Sequence, residues 1–131
     1  MTSPGPGRRP RMSRGAAGLA LVLCLAHALA FAHAALVRST PTRRATLDKP
    51  PARVQLWFNE RLEPAFSRLS VWDQGAAQVD LGGARVPADD PTALSVGVPA
   101  LTPGTYVVRF RVLSLDGHVV EGEFPFTIRG R

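Results

Sequence analysis

Sulfur is nearly missing from this sequence. Its 131 residues hold one Cys and two Met, so no intramolecular disulfide can form and no cysteine pair exists for a C-x-x-C redox or zinc motif. A helical bundle is disfavoured because 12 Pro are scattered from end to end. Each one inside a helix would remove a hydrogen bond and clash with the preceding turn. Long apolar runs are also lacking: the run from Ala16 to Phe31 is about 16 residues and contains His27, short of the roughly 20 that span a bilayer. These absences leave one small domain at most, rich in strands or loops.

What is present is unevenly placed. Of the 16 basic residues, Arg8, Arg9, Arg11 and Arg14 fall in the first 14 positions with no acid among them, directly before the apolar run. A charged segment, an apolar segment and then Ala30-Phe31-Ala32, an A-x-A pattern of small residues, form the layout of a secretory signal peptide. The reading is a cleaved leader over 1–32 and a mature domain over 33–131 that starts at His33. An uncleaved anchor is the competing reading. A lipoprotein is disfavoured because Cys24 follows Leu23 rather than a small residue.

Cleavage changes the arithmetic. The four leader arginines leave 12 basic residues against all 10 acids, so the net charge falls from +6 to +2. That small excess gives no support for a nucleic-acid surface. Both Met and the only Cys go with the leader, which removes soft sulfur ligands from the mature domain.

Period-2 alternation recurs in the remainder. Val54, Leu56 and Phe58 share one face of 53–58, and similar patterns run through 69–73 and 93–98. Tyr106, Val108, Phe110 and Val112 alternate through 105–113, and Phe124, Phe126 and Ile128 through 123–129. Turn signals such as Asp73-Gln74-Gly75, Asp89-Asp90-Pro91 and Asp116-Gly117 separate these segments. Half-buried antiparallel strands, about seven at this spacing, predict an all-β sandwich or small barrel. Residues 61–67 fit either a loop or a helical turn. Trp57 and Trp72 read as sheet-face packing, Tyr106 as a strand-entry aromatic with its hydroxyl tied to a nearby loop, and Arg109 with Arg111 as a solvated face.

Chemistry has few places to reside. In Ser114-Leu115-Asp116-Gly117-His118, extended residues i and i+2 project to one side, so Asp116 and His118 can present a carboxylate and an imidazole to one point. Gly117 would tolerate a tight or positive-φ geometry. Alone, this pattern is also what a self-capping turn Asp beside a surface His produces. A hydrolase triad of Ser114, Asp116 and His118 is discarded, because five consecutive turn residues do not give the relay geometry. A mature chain starting at His33 adds a second His whose α-amine and imidazole can chelate one ion. With His118 and Asp116 this makes three nitrogens and one oxygen, a set suited to tetragonal Cu(II). Zn(II) could use the same groups but prefers a tetrahedron.

Four segments together resemble the CopC family of exported copper-binding proteins: residues 33–41 (HAALVRSTP), 51–60 (PARVQLWFNE), 101–108 (LTPGTYVV) and 109–126 (RFRVLSLDGHVVEGEFPF). The resemblance implies a Greek-key β-barrel or sandwich of cupredoxin-like or immunoglobulin-like type. It also implies a Cu(II) site made by His33, Asp116 and His118, with Glu60 as an outer or axial group. The methionine-rich Cu(I) site of some members has no counterpart in 33–131. The implied function is a periplasmic, non-enzymatic copper carrier or buffer, serving copper resistance or delivery to a separate CopD-like inner-membrane transporter. A monomer is expected. The alternative is a copper monooxygenase-like enzyme using an N-terminal His brace. It is disfavoured because Asp116 would fill a coordination position that oxygen chemistry needs open.

Overall fold

The computed structural model describes residues 1–5, 7 and 34–130. The chain divides into two units, Met1–Ala32 and His33–Arg131. Most of the expected leader, and His33 itself, lie outside the described residues. Among the described residues no helix is long and apolar enough to cross a membrane.

Among the described residues seven strands form two sheets: β1 (Leu36–Thr40), β2 (Thr46–Leu47), β3 (Arg53–Phe58), β4 (Arg68–Trp72), β5 (Ala93–Gly97), β6 (Gly104–Leu113) and β7 (Val119–Ile128). One sheet has the order β1-β3-β5 and the other β2-β7-β6-β4, so the domain is a sandwich of two sheets and not one closed barrel. All pairings are antiparallel except the short parallel contact of β2 with β7. The alternating residues account for the core. Val54, Leu56 and Phe58 of β3 meet Tyr106, Val108, Phe110 and Val112 of β6 and Phe124, Phe126 and Ile128 of β7 in one buried cluster. Each such side chain stabilises the fold by about 1.5–3 kcal/mol relative to exposure. Phe58 meets Phe110 edge-on at 5.7 Å, and Tyr106 stacks on Phe126 at 5.6 Å.

Several expectations change. The 93–98 segment is not half-buried, because Ala93, Leu94, Ser95 and Val96 are all buried. The chain after β4 runs along its open edge, exchanging backbone hydrogen bonds between Arg85 and Ser95 at 2.9 Å and from Leu81 to Gly97 at 3.0 Å. The last strand begins at Val119, four residues before its apolar alternation. β1 and β2 carry no clear alternation of their own. β1 is broken by an irregularity between Leu36 and Arg38, and Val37 is exposed. The undecided 61–67 stretch contains a 3-10 turn, Pro64–Phe66, with proline at its start, where a missing N–H costs nothing.

The aromatic and arginine readings agree with the structure. Trp57 lies under the Arg38 guanidinium at 3.7 Å, and Trp72 lies beneath Arg109 at 5.1 Å. The Tyr106 hydroxyl donates to the Thr102 carbonyl at 2.7 Å. Arg109 and Arg111 pair across the strand with Glu123 and Glu121 at 3.1 and 3.6 Å, on an exposed face. Such exposed pairs contribute little.

Candidate metal centre

The turn between β6 and β7 is built around one buried hydroxyl. Ser114 is 1% exposed, and its backbone closes the hairpin by donating to the His118 carbonyl at 2.9 Å. Gly117 N–H donates to the Ser114 carbonyl at 2.9 Å, which requires the reversal that Gly117 makes at φ +90°. A side chain there would be strained. The Ser114 hydroxyl approaches both Asp116 Oδ1 and, at 3.2 Å, the His118 carbonyl. Its single proton goes to the carboxylate, the closer and charged acceptor. The same oxygen accepts from the His118 N–H at 3.2 Å.

Asp116 and His118 therefore do converge, although through a turn and not through the alternation of an extended segment. Asp116 Oδ2 stands 2.9 Å from His118 Nδ1, and both side chains are 40% exposed. A carboxylate can only accept, so a neutral imidazole places its proton on Nδ1 and its lone pair on Nε2. This is the arrangement by which a carboxylate orients a metal-binding histidine. The Ser114 hydroxyl, and after it His118, hold the Asp116 carboxyl below its ordinary range by hydrogen bonding to its charged form.

The chain around Glu60 connects this turn to the beginning of the domain. Asn59 binds Ala35 at two points: Asn59 Oδ1 accepts the Ala35 N–H at 2.7 Å, and Asn59 N–H donates to the Ala35 carbonyl at 3.1 Å. Four residues on, Glu63 N–H donates to the Leu113 carbonyl at 2.8 Å, and between them the Arg61 carbonyl accepts the Leu115 N–H at 2.9 Å. Leu62 and Ser114 form an isolated bridge. Glu60 thus sits on a strap tied at one end to Ala35 and at the other to the turn. Among the described residues no group of three or more His, Cys, Asp or Glu side chains could hold a metal, so Glu60 does not complete one with Asp116 and His118. His33 lies outside the described residues.

Two residues in this arrangement carry no sequence assignment as site residues. Ser114 is visible only as a discarded triad member, whereas its hydroxyl anchors Asp116. Asn59 has no local signal, because its partner lies 24 residues away. A cleft of about 500 Å3 along β4, lined by Arg68, Arg109 and Arg111 among others, includes none of Asn59, Glu60, Asp116 and His118.

Comparison with known proteins agrees with this architecture. The CopC domain matches residues 36–129. The chain is 32% identical over 111 residues to the copper transport protein CutJ of Bacillus subtilis (strain 168), an alignment covering 84% of this chain but 20% of CutJ. It thus spans about a fifth of that relative's length. It is 32% identical over 111 residues to copper resistance protein C of Xanthomonas campestris pv. juglandis, covering 80% of this chain and 87% of that protein. Among solved structures, CopC from Methylosinus trichosporium OB3b superposes with a TM-score of 0.68 at 42% identity, covering 73% of this chain and 93% of that one. PcoC, a methionine-rich copper resistance protein from Escherichia coli, superposes with a TM-score of 0.62 at 28% identity, covering 75% of this chain and 100% of that one. With the domain matched over nearly the whole sandwich and copper resistance protein C covered over most of its length, the chain belongs to the CopC family.

Proposed function

We propose that this chain is an exported, non-enzymatic Cu(II) carrier or buffer, released from its leader between Ala32 and His33, that serves copper resistance or hands copper to a membrane transporter of CopD-like type. The observation that carries this reading is the Ser114-Asp116-His118 network, an imidazole held at Nδ1 by an anchored carboxylate. The α-amine and imidazole of His33 add two nitrogens, and Asp116, whose Oδ2 meets Nδ1 on the side of the ring away from Nε2, becomes the fourth ligand by exchanging that contact for the ion. Glu60, on the strap, serves as an outer group.

The chemistry of this donor set selects the ion. Imidazole, amine and carboxylate suit Cu(II), which also heads the divalent affinity series. The residues from His33 onward contain no Met or Cys, so a reduced ion finds no soft ligand there and is released. The relatives named for copper transport and copper resistance support the same cargo.

The test is calorimetric titration of the protein beginning at His33 with Cu(II). One tight site is expected, and it should be lost in His118→Ala. Undiminished binding in that variant would overturn the assignment. Copper-dependent peroxide production with ascorbate should stay no higher than that of free copper, and a clear excess would favour an enzyme.

A further inference from the structure

We propose that Asn59 is a positioning residue, whose clamp on Ala35 lets the 59–63 strap set the distance between the start of the domain and the Asp116-His118 turn. This rests on the reading that copper is held between His33 and that turn.

The hydrogen bonds point to a dedicated device. β1 pairs with β3 from Leu36 opposite Phe58, and the register breaks immediately afterward, before Arg38. The next rung, Ala35 opposite Asn59, is completed in an unusual way. Asn59 N–H donates to the Ala35 carbonyl as a ladder residue would, but the Ala35 N–H is accepted by the Asn59 side chain. A side-chain oxygen here stands in for a backbone carbonyl, so the rung depends on residue type in a way that ordinary strand rungs do not. Ala34, one residue closer to the chain start, is buried.

The other end of the strap does not depend on Asn59. Arg61 and Glu63 hold Leu115 and Leu113 through backbone hydrogen bonds, and the buried Ser67 hydroxyl bridges the second pair, donating to the Glu63 carbonyl at 2.8 Å and accepting from the Leu113 N–H at 3.3 Å. Removal of the Asn59 amide should therefore loosen the start of β1 while leaving the turn in place. A ligand set drawn from two separate segments binds best when both are held in position beforehand. Loss of a group that orients ligands typically costs 10–100-fold in metal affinity.

The experiment compares Cu(II) affinity, by competition titration, in four proteins: one beginning at His33, one beginning at Ala32 so that the terminal chelate is blocked, and Asn59→Ala in each. Asn59→Ala is expected to weaken binding about 10–100-fold in the first background, to alter its Cu(II) electron paramagnetic resonance spectrum, and to have little further effect in the second. Asn59→Asp, which keeps an acceptor at the same reach, should restore tight binding. Equal losses in both backgrounds, or no loss in either, would overturn the proposal. If the protein beginning at Ala32 binds as tightly as the one beginning at His33, the His33 chelate itself fails. In metal-free protein the Ala35 amide should exchange faster in Asn59→Ala while the Leu115 amide is unchanged. Faster exchange at both would mean general loosening and would also count against the clamp.

Discussion

Asp116 Oδ2 lies 2.9 Å from His118 Nδ1, while Oδ1 of the same carboxylate is held by the buried Ser114 hydroxyl. One carboxylate thereby connects a buried anchor to an exposed imidazole. Its orientation is inherited from the hairpin backbone, because Ser114 is also the residue that closes the turn onto His118.

Ser114→Ala tests that inheritance. The substitution removes the hydroxyl that donates to Asp116 and accepts from the His118 N–H. Loss of these bonds at a buried position should destabilise the fold by about 1–2 kcal/mol, measured by urea denaturation. Copper affinity should fall about tenfold as His118 loses its fixed orientation. The Asp116 carboxyl, now held low by the Ser114 hydroxyl before any other cause, should titrate closer to its ordinary value in the variant, as followed by carboxyl-carbon NMR. An unchanged Asp116 titration would mean that the Ser114 hydroxyl does not set the state of the carboxylate.

The same shift fixes the pH dependence. A carboxyl whose pKa is lowered on folding contributes stability above its ordinary value and loses it as pH falls through the folded value. Asp116 is therefore already ionised throughout the neutral range and adds no slope there. Copper affinity should nonetheless rise from pH 6 to pH 8, because the ion must displace protons from an α-amine with a reference pKa of about 8 and an imidazole near 6.5. Competition titrations at pH 6, 7 and 8 measure this rise. A flat profile would exclude the amine and imidazole as ligands.

Much of this was legible along the chain, and the remainder was hidden for identifiable reasons. Tyr106, Val108, Phe110 and Val112 announce β6 because a strand with one buried face repeats every second residue. Asp116 and His118 are readable as a pair since they are close in sequence. β5 is misread as half-buried because the chain that pairs with its open edge, at Leu81 and Arg85, reaches it only through tertiary contact. β1 is obscured by the irregularity at Leu36 and Arg38, which spoils the period. Asn59 is silent for the same physical reason as β5, since its role exists only once Ala35 lies opposite.

Gly122 offers a test of the core independent of metal. It stands opposite Phe110 in the β6–β7 ladder, and a Cβ built there would lie 2.9 Å from Phe110 Cζ. Phe110 also packs edge-on against Phe58, so it has little freedom to retreat. Gly122→Ala should cost about 1–3 kcal/mol through overpacking, against a modest gain from restricting the unfolded chain. Thermal unfolding of the metal-free variant checks this. A variant as stable as the parent would show that Phe110 yields more easily than its packing implies.

Reduction provides the last test, and it follows from the missing sulfur. A nitrogen and oxygen site holds Cu(II) well but offers Cu(I) none of the thioether or thiolate ligands it favours, and residues 33–131 contain neither Met nor Cys. Ascorbate added to the copper-loaded protein should therefore transfer the metal to a Cu(I) chelator rapidly and completely. The unreduced complex should resist a Cu(II) chelator of moderate strength under the same conditions. Introducing one methionine beside the turn, as Leu115→Met, supplies a thioether from an exposed position without disturbing Ser114, Asp116 or His118. That variant should retain Cu(I) longer than the parent in a stopped-flow transfer assay. Equal transfer rates would mean that the thioether does not reach the ion, whereas slow transfer from the parent itself would contradict release on reduction.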